Sequence, residues 1–277
     1  MVAQMSRTQL SRARSMSLAM RLSSLPAPGG IMRQHHERVA TTRAAIDYLM
    51  SRTETELAQP VPNCPGWTVR HVAVHVARVC VAWDQMMQYL PSDADARLKA
   101  YEVSDGRPEG ASMQELAEWA YAAIDRTAGA ETECYFSMTG GPGTTAMWAW
   151  HAAAEIGVHR LDVEAALGHD HAMTVDESVD AATYVATYFM PAMRRVTGVD
   201  PGSLRADLLG AGDSMAGSAE VGSDSPDRVV LSGPAMQVLL ALWGRPYSAV
   251  EVVEGDAMVL NRWRELPKQA FQFGTKE

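Results

Sequence analysis

The sequence predicts a mainly α-helical N-terminal domain, arranged as a four-helix bundle, followed by a small α+β C-terminal domain. Apolar residues recur with helical spacing as far as about residue 195, and turn-forming residues divide this part into segments of similar length. Short strand-like runs, separated by glycine, aspartate and serine, appear only after about residue 196. The length of 277 residues fits two domains of ordinary size.

Two helices are predicted before the first long loop. The first runs from about 34 to 57, and the turn VPNCPGW ends it because proline and glycine do not continue a helix. Thr68 is well placed to N-cap a second helix, which we expect to reach about Leu90. An acidic loop that contains glycine and proline then leads to residue 112.

Two further helices complete the predicted bundle. Ser112 and Glu115 have the spacing of a capping box, which opens the third helix. The stretch GGPG at 140–143 breaks the chain before a fourth helix from about 145 to 167. Helices of near-equal length with a long crossover between them are typical of a bundle.

The C-terminal part mixes helices with short strands. Thr174 and Glu177 form a second capping box, which opens a fifth helix. Strand-like runs at 228–232 and 249–253 flank the helical segment AMQVLLALWGR, and a last helix, AMVLNRWREL, follows. We expect the Ser- and Gly-rich stretch 210–225 to be a surface loop.

Composition excludes several classes of function. The net charge of −9 argues against nucleic acid as the main partner, and no apolar run approaches the roughly 18 residues of a membrane-spanning helix. The three cysteines form neither a CxxC pair nor a disulfide framework, which fits a reducing cytoplasm. We therefore expect a cytoplasmic protein, a monomer or homodimer, that acts without nucleic acid or membrane.

The predicted domains are a disordered leader (1–33), the bundle (34–172), and a linking helix with the α+β domain (173–277). The leader is rich in serine and arginine and lacks acidic residues, which is also the composition of an organelle transit peptide. The alternative, which we favour, is a floppy tail or an over-long start, with Met32 as the true start.

One group of polar residues stands on apolar helix faces. His151, Glu155 and His159 follow one another at intervals of four, so they share one face of the fourth helix. His75 lies in a similar stripe of the second helix. Antiparallel bundle helices can bring Glu155, His159 and His75 together as one carboxylate and two imidazoles, the donor set of a catalytic zinc site with an open position. The alternatives are a core histidine and an i,i+4 surface pair.

Two segments resemble the mycothiol-dependent maleylpyruvate isomerase family: CPGWTVRHVAVHVARV and, about 80 residues later, AEIGVHRLDVEAALG. The pieces GPAMQVLLALWGR and VEGDAMVLNRWREL are similar to the small domain that closes such proteins. The resemblance covers roughly residues 34–266. It implies a DinB-like bundle and a sterol-carrier-like C-terminal fold.

The resemblance also implies a metal triad formed by His75, Glu155 and His159. The ion would be zinc or another divalent transition metal, which would bind mycothiol or a similar thiol as thiolate. The implied activity is isomerisation of a small electrophilic substrate, or transfer of the thiol to it. The alternative is a non-catalytic module that binds metal, thiol or a small ligand as a sensor or scaffold.

The chain departs from the family pattern at two places. Members carry Asp where this chain has His71, and an acid there would complete a capping box with Thr68, so His71 is expected to weaken it. The alternative is that His71 lies near the site entrance. Members often read RxxHExxxH, where this chain has His151 and Ala154. The missing arginine removes an anion clamp, which leaves the substrate open.

Three other residues are candidates for the site. Arg245, in LWGR, is the candidate catalytic contact for a substrate carboxylate or the thiol; its alternative role is a helix C-cap. Asp162 either orients a ligand imidazole or pairs with Arg160 or another base. Cys64 is disfavoured as a nucleophile because the sequence places no base beside it. Three tryptophans are expected to pack in the core and turns: Trp67, Trp83 and Trp148.

Overall fold

The computed structural model describes residues 33–222 and 225–272 and confirms the predicted fold class, a helical bundle followed by a small α+β module. The helices of the first part are α1 (His35–Met50), α2 (Glu54–Leu57), α3 (Val69–Met86), α4 (Ala96–Asp105), α5 (Met113–Ala128) and α6 (Thr145–Leu167). The bundle consists of α1, α3, α5 and α6, in which α3 packs mainly on α5, and α1 packs on α6 and α5.

Apolar residues at helical spacing form the bundle interior. Ile46 and Leu49 of α1 and Val72 and Val76 of α3 have no exposed surface. Fully burying one such side chain contributes roughly 1.5–3 kcal/mol, so these faces, rather than helix propensity, hold the bundle together.

The first predicted helix is two helices. Thr53 accepts a hydrogen bond from the backbone N–H of Glu56 (3.4 Å), and the Glu56 carboxylate accepts one from the N–H of Thr53 (2.7 Å). This capping box starts α2 anew and breaks the continuous helix expected over 34–57. The second helix is likewise shorter than predicted and ends at Met86 instead of Leu90.

The acidic loop expected before residue 112 contains a helix, α4. Its buried positions are Ala96, Ala100 and Ser104, and the Ser104 hydroxyl donates to the carbonyl of Arg78 (2.8 Å). Small residues give a weak apolar period, which explains why the sequence pattern missed this helix. The helix packs along α3.

The break predicted at GGPG is part of a β-hairpin. Strands β1 (Glu133–Phe136) and β2 (Gly141–Thr144) pair antiparallel, with Phe136 opposite Gly141. Glycine and proline usually indicate a turn rather than a strand, so the pattern pointed to a loop. The predicted helix start after it, at Thr145, is confirmed.

A long helical segment links the two parts of the chain. The predicted capping box of Thr174 and Glu177 opens α7 (Val175–Tyr184), a π-helical turn follows (Val185–Phe189), and α8 (Met190–Thr197) continues. Pro191 has no N–H to donate to the preceding turn, and the π-helical turn lies immediately before it.

The C-terminal part contains a four-stranded sheet of order β4-β3-β5-β6 within the described residues. Strand β3 pairs antiparallel with β4 and parallel with β5, and β5 pairs antiparallel with β6. The elements are β3 (Ser203–Leu209), β4 (Met215–Val221), β5 (Arg228–Pro234), α9 (Ala235–Leu242), β6 (Glu251–Gly255) and α10 (Ala257–Gln272).

The surface loop predicted for 210–225 was wrong, because β4 lies within it. Ala219 and Val221 alternate toward the core and are buried, whereas Glu220 between them is exposed. The sequence AGSAEV is too small and too weakly apolar to predict a strand. Pairing with β3 supplies its backbone hydrogen bonds.

The two parts of the chain are in contact. The ring of Phe189 stacks on Trp243 with centroids 4.8 Å apart, and Arg38 of α1 forms a buried ion pair with Asp180 of α7 (2.7 Å). No helix of the described residues is long and apolar enough to cross a membrane. The domain bounds at 172 and 173 stay a prediction, and residues 1–32 of the predicted leader lie outside the described residues.

Candidate metal centre

Helices α3 and α6 bring three predicted residues together. The Glu155 Oε1 atom lies 3.5 Å from Nε2 of His75 and 3.4 Å from Nε2 of His159. One ligand atom from each residue lies within 4.8 Å of those of the other two. The Glu155 and His159 side chains are only 15% and 6% exposed, so they are not the surface pair that was the alternative.

The electrostatics of Glu155 depend on the two imidazoles. Burial would by itself raise the pKa of Glu155, but the contacts with His159 and His75 outweigh it and hold the pKa well below its ordinary value. Burial lowers the pKa of His75, which favours a neutral imidazole with a free lone pair. The pair therefore offers an ionised carboxylate and a neutral nitrogen, which are the forms that bind a metal ion.

His159 presents its two ring nitrogens to different carboxylates. Its Nε2 faces Glu155, and its Nδ1 lies 3.2 Å from Oδ2 of Asp162, although the ring N–H is not aligned for a hydrogen bond. Burial opposes the charged form, but Asp162, Cys64 and Glu155 together raise the pKa of His159 well above its ordinary value. A metal ion would have to displace this proton, so its affinity should fall as the pH falls.

The donor set fits zinc. Zinc–ligand bonds of about 2.0–2.1 Å in tetrahedral geometry place neighbouring ligand atoms about 3.3 Å apart. The two separations from Glu155, 3.4 and 3.5 Å, match this value and are longer than a strong charge-assisted hydrogen bond. Two imidazoles and one carboxylate leave a fourth position open, which is the pattern of a catalytic site.

Asp162 joins the centre to the C-terminal part. It has no exposed surface, and it accepts hydrogen bonds from Nη2 (2.7 Å) and Nε (3.1 Å) of Arg245. Burial would raise the pKa of Asp162, but His159 and Arg245 hold it well below its ordinary value. Asp162 therefore both contacts the imidazole of His159, a candidate ligand, and pairs with a base. That base is Arg245, because Arg160 pairs with Glu164 (2.7 Å).

Arg245 reaches the centre because helix α9 stops early. Gly244 adopts a φ of 76°, and the N–H of Arg245 bonds back to the carbonyl of Leu240 (2.8 Å), which turns the chain toward the bundle. The guanidinium bonds to Asp162 and does not cap the carbonyls of its own helix. The side chain is 17% exposed, so part of it is accessible to solvent.

Cys64 is a site residue that sequence reasoning undervalued. Its Sγ–H donates to Oδ2 of Asp162 (3.4 Å), and Nη2 of Arg245 lies 3.6 Å from the sulfur. The sequence places no base beside Cys64, and the structure brings both partners to it from segments about 100 and 180 residues away. Gly66, with a φ of 85°, allows the tight turn that holds Cys64 there.

Trp67 departs from the expected role in turn packing. Its ring lies 5.1 Å from the His75 ring and stacks at 20° on His159, so it forms a wall of the centre. Trp83 and Trp148 are buried, as predicted, and both contact His151.

His151 and His71 serve structural roles outside the triad. Nδ1 of His151 lies 2.6 Å from the Tyr184 hydroxyl, and burial lowers the pKa of His151 to about 4. Nδ1 of His71 accepts a hydrogen bond from the N–H of Thr68 (3.0 Å). The capping box is therefore present, with the imidazole of His71 in the place of the acid, and that it is weaker than a box with an acid stays a prediction.

The fold and the centre define a class: a helical bundle with a three-residue metal-type centre, closed by an α+β module that supplies an arginine. Residues 33–164 match the family model of the mycothiol maleylpyruvate isomerase N-terminal domain. The resemblance seen in the sequence is therefore confirmed over these residues. No curated protein matches the sequence.

Two solved structures share the fold. They are the crystal structure of the mycothiol-dependent maleylpyruvate isomerase and that of a histidine-to-alanine mutant of it, 18% and 17% identical to this chain. Each match has a TM-score of 0.52 and covers 81% of this chain and 95% of the other. At this identity the likeness concerns the fold alone.

Proposed function

We propose that the chain is a zinc-dependent enzyme of the maleylpyruvate isomerase type, which uses mycothiol or a similar low-molecular-weight thiol. The reaction is isomerisation of a small electrophilic substrate or transfer of the thiol to it. The observation that carries the proposal is the convergence of His75, Glu155 and His159, with Asp162 behind the last of them. Zinc or another divalent transition metal fits this donor set.

Each residue has a separate task in this proposal. His75, Glu155 and His159 would hold the ion, whose contribution is to keep a bound thiol deprotonated. Oδ2 of Asp162 lies 3.2 Å from Nδ1 of His159, and this ionic contact favours the ring orientation in which Nε2 faces Glu155. Trp67 covers the two imidazoles and limits the access of water.

Arg245 is the proposed contact for a negatively charged group of the substrate or thiol. Nε and Nη2 of Arg245 donate to the carboxylate of Asp162, which fixes the orientation of the guanidinium. A fixed arginine orients a planar carboxylate without a further loss of side-chain entropy. His151, which stands where relatives have arginine, is neutral and bonded to Tyr184, so it does not supply a second cation.

The first test is the metal content of the purified protein. Wild type should carry one zinc ion, whereas His75→Ala and Glu155→Gln should lose it. His71→Ala is the matched control, because His71 lies one turn earlier on the same helix and faces the solvent. Wild-type protein without stoichiometric zinc, and unable to take it up, would contradict the proposal.

The second test concerns the reaction. With zinc bound, maleylpyruvate should turn over only when mycothiol or a similar thiol is present. Arg245→Lys should reduce kcat/KM and leave zinc content unchanged, because lysine keeps a positive charge beside Asp162 but lacks the planar pair of donors. A zinc-loaded protein that binds the thiol but turns over no electrophile would favour the alternative, a binding module.

A further inference from the structure

The three cysteines of the chain differ sharply in environment. Cys80 and Cys134 have no exposed surface, and burial raises the pKa of both thiols, to about 11 for Cys134. Cys64 is partly exposed and lies in the turn at the rim of the metal centre. Only Cys64 can therefore meet a small molecule without unfolding of the chain.

Cys64 is also the one thiol with polar neighbours suited to a ligand. Asp162 and Arg245 contact the sulfur, one as hydrogen-bond acceptor and one as donor. The group formed by Cys64, Asp162 and His159 has its polar atoms within 4.8 Å of one another. These contacts fix the position of Sγ, whereas an ordinary surface cysteine rotates freely.

An unsatisfied polar atom points into the same place. Nδ1 of His159 is buried. Oδ2 of Asp162 lies 3.2 Å away, but the ring N–H is not aligned with it and forms no hydrogen bond. The group of residues around this nitrogen includes the sulfur of Cys64. A buried polar nitrogen without a partner is costly, and a polar ligand beside Cys64 would satisfy it. Nδ1 lies on the side of the His159 ring opposite Nε2, which faces Glu155.

We propose that Cys64 is a modification site that binds a low-molecular-weight disulfide and forms a mixed disulfide with it. The site needs neither the metal nor turnover of an electrophile, so this inference goes beyond the proposed function. The centre would in this way be modified reversibly by the disulfide of the same kind of thiol that it uses.

The reaction is a balanced thiol–disulfide exchange. The Cys64 sulfur attacks one sulfur of R–S–S–R, a new S–S bond joins Cys64 to R–S, and the old S–S bond breaks. The leaving R–S⁻ takes up the proton that Cys64 has lost and departs as R–SH. Cys64 is oxidised and the leaving sulfur is reduced, so the added disulfide is the only oxidant.

The modification should leave the metal triad in place. Cys64 contacts Asp162 on the Nδ1 side of His159, whereas Glu155 and His75 lie on the Nε2 side. Zinc content should therefore be unchanged by the adduct, while the attached group narrows the approach to the centre. Reduction with dithiothreitol should restore the free thiol.

The test uses glutathione disulfide as the probe and intact mass as the readout. Native wild type should gain one adduct, mapped to Cys64, and Cys64→Ser should gain none. In urea, wild type should gain three adducts and the variant two, because the chain has three cysteines. This control shows that all three cysteines are free thiols that can form the mixed disulfide and that the probe is active.

The kinetics of modification distinguish a site that binds the disulfide before reaction from a thiol that is merely accessible. The rate for native protein should saturate with probe concentration, and S-methylglutathione, which cannot exchange, should slow it. The proposal would be overturned by a rate that rises linearly with probe concentration and is not slowed by S-methylglutathione. It would also be overturned by an adduct at Cys80 or Cys134 in native protein, or by loss of zinc on modification. Because the readout is mass, the result stands apart from any test of enzymatic activity.

Discussion

At the scale of single residues, the protonation state of each ionisable side chain in the centre is set by its neighbours. Glu155 remains ionised although it is buried, because two imidazoles lie within 3.5 Å of its Oε1 atom. Asp162 remains ionised because the guanidinium of Arg245 pairs with its carboxylate. A buried carboxylate without such partners would take up a proton instead.

Asp162→Asn should weaken zinc binding by roughly 10- to 100-fold, the usual effect of losing the carboxylate behind a ligand imidazole. Competition with a chromogenic chelator measures the affinity. Asp180→Asn is the matched control, because Asp180 is also buried and paired with an arginine but lies away from the centre. Equal affinities for Asp162→Asn and wild type would show that Asp162 does not support His159.

His151 should make stability depend on pH. Burial lowers its folded-state pKa to about 4, below the unfolded value of about 6.5. The unfolded chain therefore binds this proton first, and stability falls as the pH falls from about 6.5 to 4. At pH 5 the loss is about 2 kcal/mol by this linkage.

His151→Gln should remove that loss, since glutamine does not titrate and can still accept the hydrogen bond of Tyr184. Urea unfolding at pH 7 and pH 5, with metal removed from both proteins, measures the difference. Parallel pH dependence in the two proteins would show that His151 is not buried as a neutral ring.

At the scale of elements, local hydrogen bonds decide where helices begin. The capping boxes opened by Ser112 and Thr174 were readable from sequence, because an acid follows at the required spacing. Helix α3 uses His71 in the same position, which a pattern that asks for Glu or Gln does not recognise. Helix α3 keeps its N-terminal capping box without an acid at this position, because an imidazole nitrogen can also accept a hydrogen bond.

His71→Asp should stabilise the protein by about 0.5–1 kcal/mol, because a carboxylate keeps the hydrogen bond to Thr68 and interacts favourably with the helix N-terminus. His71→Ala should cost about 1 kcal/mol through the lost cap. Denaturant unfolding at pH 7 measures both. The free energy of unfolding should decrease from His71→Asp to wild type to His71→Ala, and any other order would contradict the capping role of His71.

At the scale of the whole molecule, contacts between distant segments join the bundle to the rest of the chain. Arg38 donates twice to Asp180, and its guanidinium lies 4.3 Å from the centroid of the Trp150 ring. This buried group fastens α7 to α1, and Arg245 with Asp162 fastens the α+β module to α6.

Arg38→Met should cost about 3–5 kcal/mol, because it leaves the buried Asp180 without its counter-charge. The double variant Arg38→Met/Asp180→Leu should be clearly more stable than Arg38→Met alone, since it removes the stranded charge as well. Denaturant unfolding of the three proteins provides the comparison. A double variant less stable than the single one would show that the pair acts through packing instead.

The sequence by itself determined the fold class and the helices of the bundle, and it singled out three residues that converge in the structure. Helical period places Glu155 and His159 on one face, and an apolar stripe directs His75 inward. These are local properties, since each depends on residues within a turn or two. Where apolar side chains were small, as in α4 and β4, the period was too weak to predict the element.

Only the tertiary structure decided which groups surround the triad. Cys64, Asp162 and Arg245 are about 100 and 80 residues apart along the chain and meet within 3.6 Å. No local pattern encodes such contacts, because they depend on how α9 ends and how the α+β module packs on α6. The three candidate ligands could therefore be read from the sequence, but the Asp162–Arg245 pair beside His159 and the partly exposed thiol of Cys64 could not.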